Sequence, residues 1–140
     1  MLQTSSILIN DPEPTIADLL VEILTDAGYI AYTAPNDTSA LAAIAHHPPA
    51  LLLLDMGRPG ASNRQRVETM RQASLVTMPI VMMTTAPRDA AALLVSAAVE
   101  CLAKPFDLDD LLACVARYVQ PHTTVPASRM QRLGGIHHGR

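Results

Sequence analysis

The sequence predicts an α/β fold: a five-stranded parallel sheet, doubly wound, with five helices. Three observations predict it. Short apolar runs alternate with longer segments whose apolar residues recur every three or four positions. The clearest runs are continuous rather than alternating, as in strands buried on both faces of a parallel sheet. Alternating βα units of this kind close into one open sheet through right-handed crossovers.

Each element has its own signal. Ile7-Leu8-Ile9 is a short apolar run between polar residues and reads as the first strand. Residues 14–27 carry Ile16, Leu19, Leu20, Ile23, Leu24 and Ala27 at helical spacing, and all six are expected on the inward face. Pro14 suits the first turn of that helix and Gly28 its end. Tyr29 to Ala34 reads as the second strand. Asn36 or Asp37 caps a second helix through Ala45, with Ala40, Leu41 and Ile44 inward, and Pro48-Pro49 stops it. Leu51 to Leu54 is the third strand. Residues 62–73 are polar and weakly patterned, with a third helix expected. Pro79 to Met83 is the fourth strand, residues 88–98 an Ala-rich helix, and Cys101-Leu102-Ala103 a brief fifth strand. Asp107 caps the last helix, with Leu108, Leu111, Leu112, Val115 and Val119 on one face.

At 140 residues, 49% of them hydrophobic, the chain has the size of one domain with a real core. No apolar run approaches the length of a membrane helix. The start, Met-Leu-Gln-Thr-Ser-Ser, lacks the basic residue of a signal peptide, so a cytoplasmic location is expected. Net charge is −3, and aromatics are limited to Tyr29, Tyr32, Tyr118 and Phe106. Neither favours direct nucleic-acid contact. Cys101 and Cys114 lack a partner pair or metal spacing and read as free thiols. Residues 120–140 hold three arginines and no acid, which leaves −6 on residues 1–119. The expectation is a domain over 1–119 and a flexible basic tail over 120–140.

In open parallel sheets the working groups lie beyond the carboxyl ends of the strands. Asn10-Asp11-Pro12-Glu13 follows the first strand, Asp55 ends the third, Thr84-Thr85 the fourth and Lys104-Pro105 the fifth. Lys104 is the chain's single lysine beside nine arginines. Any one of these alone reads as a helix cap, a loop acid or a solvated charge. Together they assemble carboxylates, a hydroxyl and an ammonium on one edge. That is material for phosphoryl chemistry: an Asp acceptor, a cation to neutralise charge and a hydroxyl for a phosphoryl oxygen.

Four blocks carry a resemblance. They are residues 7–14 (Ile-Leu-Ile-Asn-Asp-Pro-Glu-Pro), 51–60 (Leu-Leu-Leu-Leu-Asp-Met-Gly-Arg-Pro-Gly), 79–86 (Pro-Ile-Val-Met-Met-Thr-Thr-Ala) and 101–106 (Cys-Leu-Ala-Lys-Pro-Phe). Over about residues 5–119 the chain resembles the receiver domain of bacterial two-component response regulators, with the blocks in family order. The resemblance implies a flavodoxin-like sheet of order 2-1-3-4-5. It implies that Asp55 accepts a phosphoryl group from a sensor histidine kinase or phosphotransfer protein, that Thr84 is the switch hydroxyl and that Lys104 pairs with the phosphoryl group. It implies Mg²⁺ as cofactor, with Asp11, Asp55 and the Gly57 carbonyl as ligands and Glu13 as a further candidate. It also implies a downstream protein partner, and leaves homodimer formation open. The receiver catalyses its own phosphorylation and is not expected to be an enzyme acting on another substrate.

The chain departs from the family pattern in three places. Aligned on Glu13-Pro14, Pro12 stands where a second acid, normally a direct metal ligand, is usual, so weak Mg²⁺ binding is expected. A one-residue slip that makes Asp11 the direct ligand is milder but misplaces Glu13-Pro14. Cys101 replaces the usual aromatic three residues before the lysine, and the stretch from Thr84 to Lys104 is about two residues short. Two readings follow. The first is a stand-alone receiver in a phosphorelay, since 21 residues after Val119 are too few for an output domain. The second is a pseudo-receiver that binds its partner without phosphorylation. A third reading, an enzyme of another kind such as a phosphatase or nucleotide-binding protein on a similar sheet, is disfavoured, because Gly-x-Gly-x-x-Gly and the phosphate-loop motif are absent.

Overall fold

The computed structural model of the chain describes residues 6–57, 62–74, 78–91 and 100–121. The elements run β1 (Ser6–Asn10), α1 (Pro14–Asp26), β2 (Ile30–Ala34), α2 (Asp37–His46), β3 (Leu51–Asp55), α3 (Ser62–Ala73), β4 (Ile80–Thr84), α4 (Pro87–Ala90), β5 (Glu100–Ala103) and α5 (Leu108–Ala116). The strands form one sheet of order β2-β1-β3-β4-β5, and every pairing is parallel. The three central strands, β1, β3 and β4, are buried at every position, which is why they read as unbroken apolar runs.

Alternation along these strands divides the core into two layers. Ile7, Ile9, Leu51, Leu53, Val81 and Met83 face Leu20 and Leu24 of α1 and Leu111, Cys114 and Val115 of α5. Leu8, Leu52, Leu54, Ile80 and Met82 face Ala40 and Ile44 of α2, Val67 and Met70 of α3, and Ala90 of α4. The sheet is thus covered on both faces, with β3 at its centre between β1 and β4.

Local chemistry sets the helix ends. Pro14 opens α1, and Gly28 follows its end at φ 97°, a left-handed conformation that only glycine adopts without strain. Asn36, rather than Asp37, caps α2: its side chain accepts from the Ser39 N–H, and Ser39 returns the contact. Asp107 and Asp110 form the matching capping box on α5.

The inward face of α1 is narrower than the apolar spacing predicts. Ala17, Leu20 and Leu24 are buried, whereas Ile16 and Leu19 are 40% and 50% exposed. Leu108, expected inward on α5, is 51% exposed. A single helix buries a stripe about 100° wide, and these three residues lie beyond it. They line a groove of about 440 Å³ between α1 and residues 104–108. The described part of α4 is one turn, and the rest of the expected helix over 88–98 lies outside the described residues. The expected tail lies outside them from residue 122 onward.

Candidate functional site: the carboxyl edge of the sheet

Strand register builds the site. Asn10 of β1 pairs with Leu54 of β3, so the next residues, Asp11 and Asp55, leave the sheet at one level. Asp55 pairs with Met83 of β4, which puts Thr84 one step further along, and Thr84 pairs with Ala103 of β5. Lys104 follows, its N–H donating to the Thr84 carbonyl at 2.7 Å. Four residues spread across 94 positions of sequence therefore meet at one edge through parallel pairing alone.

Asp55 is 8% exposed, and its carboxylate accepts from the Lys104 ammonium in an ion pair. Thr84 is buried beside them, with its Oγ1 accepting from the Ala86 N–H at 2.9 Å. The hydroxyl is therefore turned to its own following loop. Asp11 is 2% exposed. Its Oδ1 accepts from the Glu13 N–H at 2.9 Å, while its Oδ2 is buried without a hydrogen-bond partner among the described residues. Burial pushes the Asp11 carboxyl above the ordinary range; the Glu13 N–H opposes this, Asp55 adds to it and Lys104 opposes it. Glu13 itself is exposed, and it is its backbone that meets Asp11. Gly57 turns the chain after β3 at φ 63° with open space around it, so the backbone conformation, not crowding, calls for glycine.

A buried carboxylate oxygen with no partner is costly unless something meets it. Asp11 Oδ2 and the Asp55 carboxylate are hard oxygen donors of the kind that Mg²⁺ takes, with waters completing its shell, and these residues would hold such a cation. Among the described residues no three His, Cys, Asp or Glu side chains cluster. Pro12 is exposed and adds no ligand. Both cysteines are free, and burial pushes the Cys114 thiol up to about 11.

One functional neighbour escaped the sequence reading. Arg66 of α3 donates from Nε and Nη2 to both oxygens of Asp37, at 2.8 and 3.1 Å. The same guanidinium reaches the backbone carbonyls of Asp55 and Met56, at 3.2 and 3.5 Å. Asn10 completes the network by donating to Asp37 Oδ1 at 3.0 Å. The readable signal was Asn10, a polar residue ending a strand too central to leave it in water; a buried amide needs a partner.

Known proteins share this arrangement. The response regulator receiver domain model matches residues 7–116. The transcriptional regulatory protein KdpE of Mycobacterium tuberculosis is 33% identical over 119 residues, covering 84% of this chain and 52% of KdpE. The chain thus spans about half the length of that relative. A 14.6 kDa protein from the sodA1 3′ region of Leptolyngbya boryana is 32% identical over 84% of this chain and 92% of its own length. The response regulator TrrA of Thermotoga maritima, solved in complex with Mg(2+)-BeF, superposes with a TM-score of 0.69 at 31% identity over 81% of this chain and 98% of TrrA. With the family model matched across all five strands and the described helices, the chain belongs to the response regulator receiver domains.

Proposed function

We propose that this chain is the phosphoryl-accepting receiver of a two-component or phosphorelay system, with Asp55 as acceptor. The observation that carries the reading is the Lys104–Asp55 ion pair beside the partnerless Asp11 oxygen, at the working edge of the sheet. A histidine kinase or phosphotransfer protein is the donor. The P–N bond to the donor imidazole breaks as a P–O bond forms to an Asp55 carboxylate oxygen, and the imidazole nitrogen recovers its electron pair and takes up a proton. The product is an acyl phosphate.

Each residue has a task in that step. Lys104 neutralises charge that builds on the phosphoryl oxygens, an interaction stronger at this sheltered edge than in water. Asp11, Asp55 and Gly57 would hold Mg²⁺, which supplies further charge neutralisation when bound. Thr84 exchanges its contact with the Ala86 N–H for one with the new phosphoryl oxygens. The groove lined by Ile16, Leu19, Phe106 and Leu108 reaches Lys104, which suits it to seat the donor protein against the acceptor. Protein partners, a cytoplasmic location and no direct nucleic-acid contact accompany this reading.

A second reading, a phosphorylation-independent binding module, is favoured by one observation. Pro12 adds no third acidic ligand beside Asp11 and Asp55.

Intact-mass measurement after incubation with a small phosphodonor separates the two. The receiver reading predicts a gain of one phosphoryl group that needs Mg²⁺ and is lost in Asp55→Asn. No gain in the unsubstituted chain, with partner binding kept in Asp55→Asn, would establish the second reading.

A further inference from the structure

Asp55 is held at two points. Its carboxylate meets Lys104, and its carbonyl meets Arg66. The second contact belongs to no catalytic group, yet it is built with care. Arg66 is 23% exposed at its side chain and makes a side-on pair with Asp37, the arrangement that fixes a guanidinium in one plane. Asn10 orients the Asp37 carboxylate from β1, and the Asn63 amide oxygen accepts from Arg66 Nη1 at 3.4 Å, one turn away on α3. With its plane fixed, the guanidinium offers Nη2 to the Asp55 carbonyl and Nη1 to the Met56 carbonyl. Those two carbonyls immediately precede Gly57, where the backbone enters its left-handed turn.

We infer that Arg66 is a positioning residue for phosphoryl acceptance: held by Asp37 and Asn10, it fixes the Asp55–Gly57 turn against the acidic side of the site. The inference rests on the reading of Asp55 as acceptor. The physical need is specific to this chain. On that reading, with an exposed proline at position 12, Asp11 and Asp55 are the carboxylates that would hold Mg²⁺, and the backbone of the turn after Asp55 would supply a further oxygen. A backbone ligand is only as well placed as the turn that carries it. Arg66 ties that turn by polar contacts to Asp37 of α2 and, through Asp37, to Asn10 of β1. A lysine substitutes only in part, because a single ammonium lacks the planar fork that reaches the carboxylate and both carbonyls together. The network also opens on the surface: Asp37 and Arg66 line a cleft of about 210 Å³ between α2 and α3, with Leu41, Ser62, Gln65 and Met70.

The test measures the rate of phosphoryl gain by intact mass across a series of Mg²⁺ concentrations, well below the melting midpoint, for the unsubstituted chain, Arg66→Lys, Arg66→Met and Asp37→Asn. Asp37→Asn keeps the shape of the pair and serves if an Arg66 variant does not fold. The expected result is a maximal rate per folded molecule roughly tenfold lower in Arg66→Met and a Mg²⁺ half-saturation moved upward, with Arg66→Lys and Asp37→Asn between it and the parent. A residue that only adds stability moves neither quantity at this temperature. Parent-like rates and parent-like Mg²⁺ dependence in the folded variants overturn the inference while leaving the acceptor reading intact. No phosphoryl gain in the unsubstituted chain overturns both.

Discussion

The two flanks of Asp55 are built on different principles. Toward β4 and β5 the site is made of side chains on adjacent strands: Lys104 on the carboxylate and Thr84 beside it. Toward β1 and α3 it is thin in side chains and rich in backbone: one acid with a partnerless oxygen, a proline, a glycine turn and an arginine bound to carbonyls. The first flank brings a formal positive charge to the Asp55 carboxylate, whereas the second brings a guanidinium to the Asp55 and Met56 carbonyls.

Breaking the first flank has the largest expected effect. Lys104→Met removes the ammonium that meets Asp55 and the incoming phosphoryl group, and the rate of phosphoryl gain should fall about 100-fold. The side chain is 29% exposed, so circular dichroism should show the fold retained. A near-parental rate in the folded variant would mean that the ion pair is structural only.

Repairing the second flank is the next test. Pro12→Asp places a second carboxylate beside Asp11, and apparent Mg²⁺ affinity should rise roughly tenfold, read from the metal dependence of phosphoryl gain. Unchanged affinity would favour the slipped register, in which Asp11 already occupies the direct-ligand position.

The smallest effect is on stability. The Arg66 guanidinium, with help from Asn10, holds the Asp37 carboxyl below its ordinary range against the opposing effect of burial. A carboxyl lowered on folding contributes stability above its unfolded pKa, near 4, and loses it as pH falls through the folded value. The melting midpoint of the unsubstituted chain should therefore drop more steeply below about pH 4 than that of Asp37→Asn. At neutral pH the two should differ by less than about 1 kcal/mol, because the pair is partly exposed. Parallel acid limbs would show that the pair carries no net stability.

How far the sequence reveals this molecule depends on the range of the interaction. β1, β3 and β4 are legible because burial on both faces fills their middles with apolar residues and leaves polar ones only at their ends. Asp55, Thr84 and Lys104 are legible because parallel topology sends every strand end to the same edge. Ile16 and Leu19 mislead because helical spacing marks an apolar residue without saying whether it meets the sheet or lines a groove. Asp37 is hidden behind Asn36, since either serves as a cap on local grounds and only the structure shows Asp37 spent on Arg66. Arg66 is hidden altogether. Its partners lie 29 positions away in Asp37 and on carbonyls that have no identity in sequence. Contacts to backbone leave no trace in residue types, and the metal-facing flank consists mostly of such contacts.

The central claim is that Asp55 carries the phosphoryl group. The direct measurement is borohydride reduction of the chain after treatment with a small phosphodonor and Mg²⁺, followed by peptide mass mapping. An aspartyl phosphate is reduced to homoserine, whereas a free carboxylate is untouched. The account predicts homoserine at position 55 alone, dependent on the donor. Homoserine at another aspartate, or none anywhere in a chain that has gained a phosphoryl mass, would contradict it.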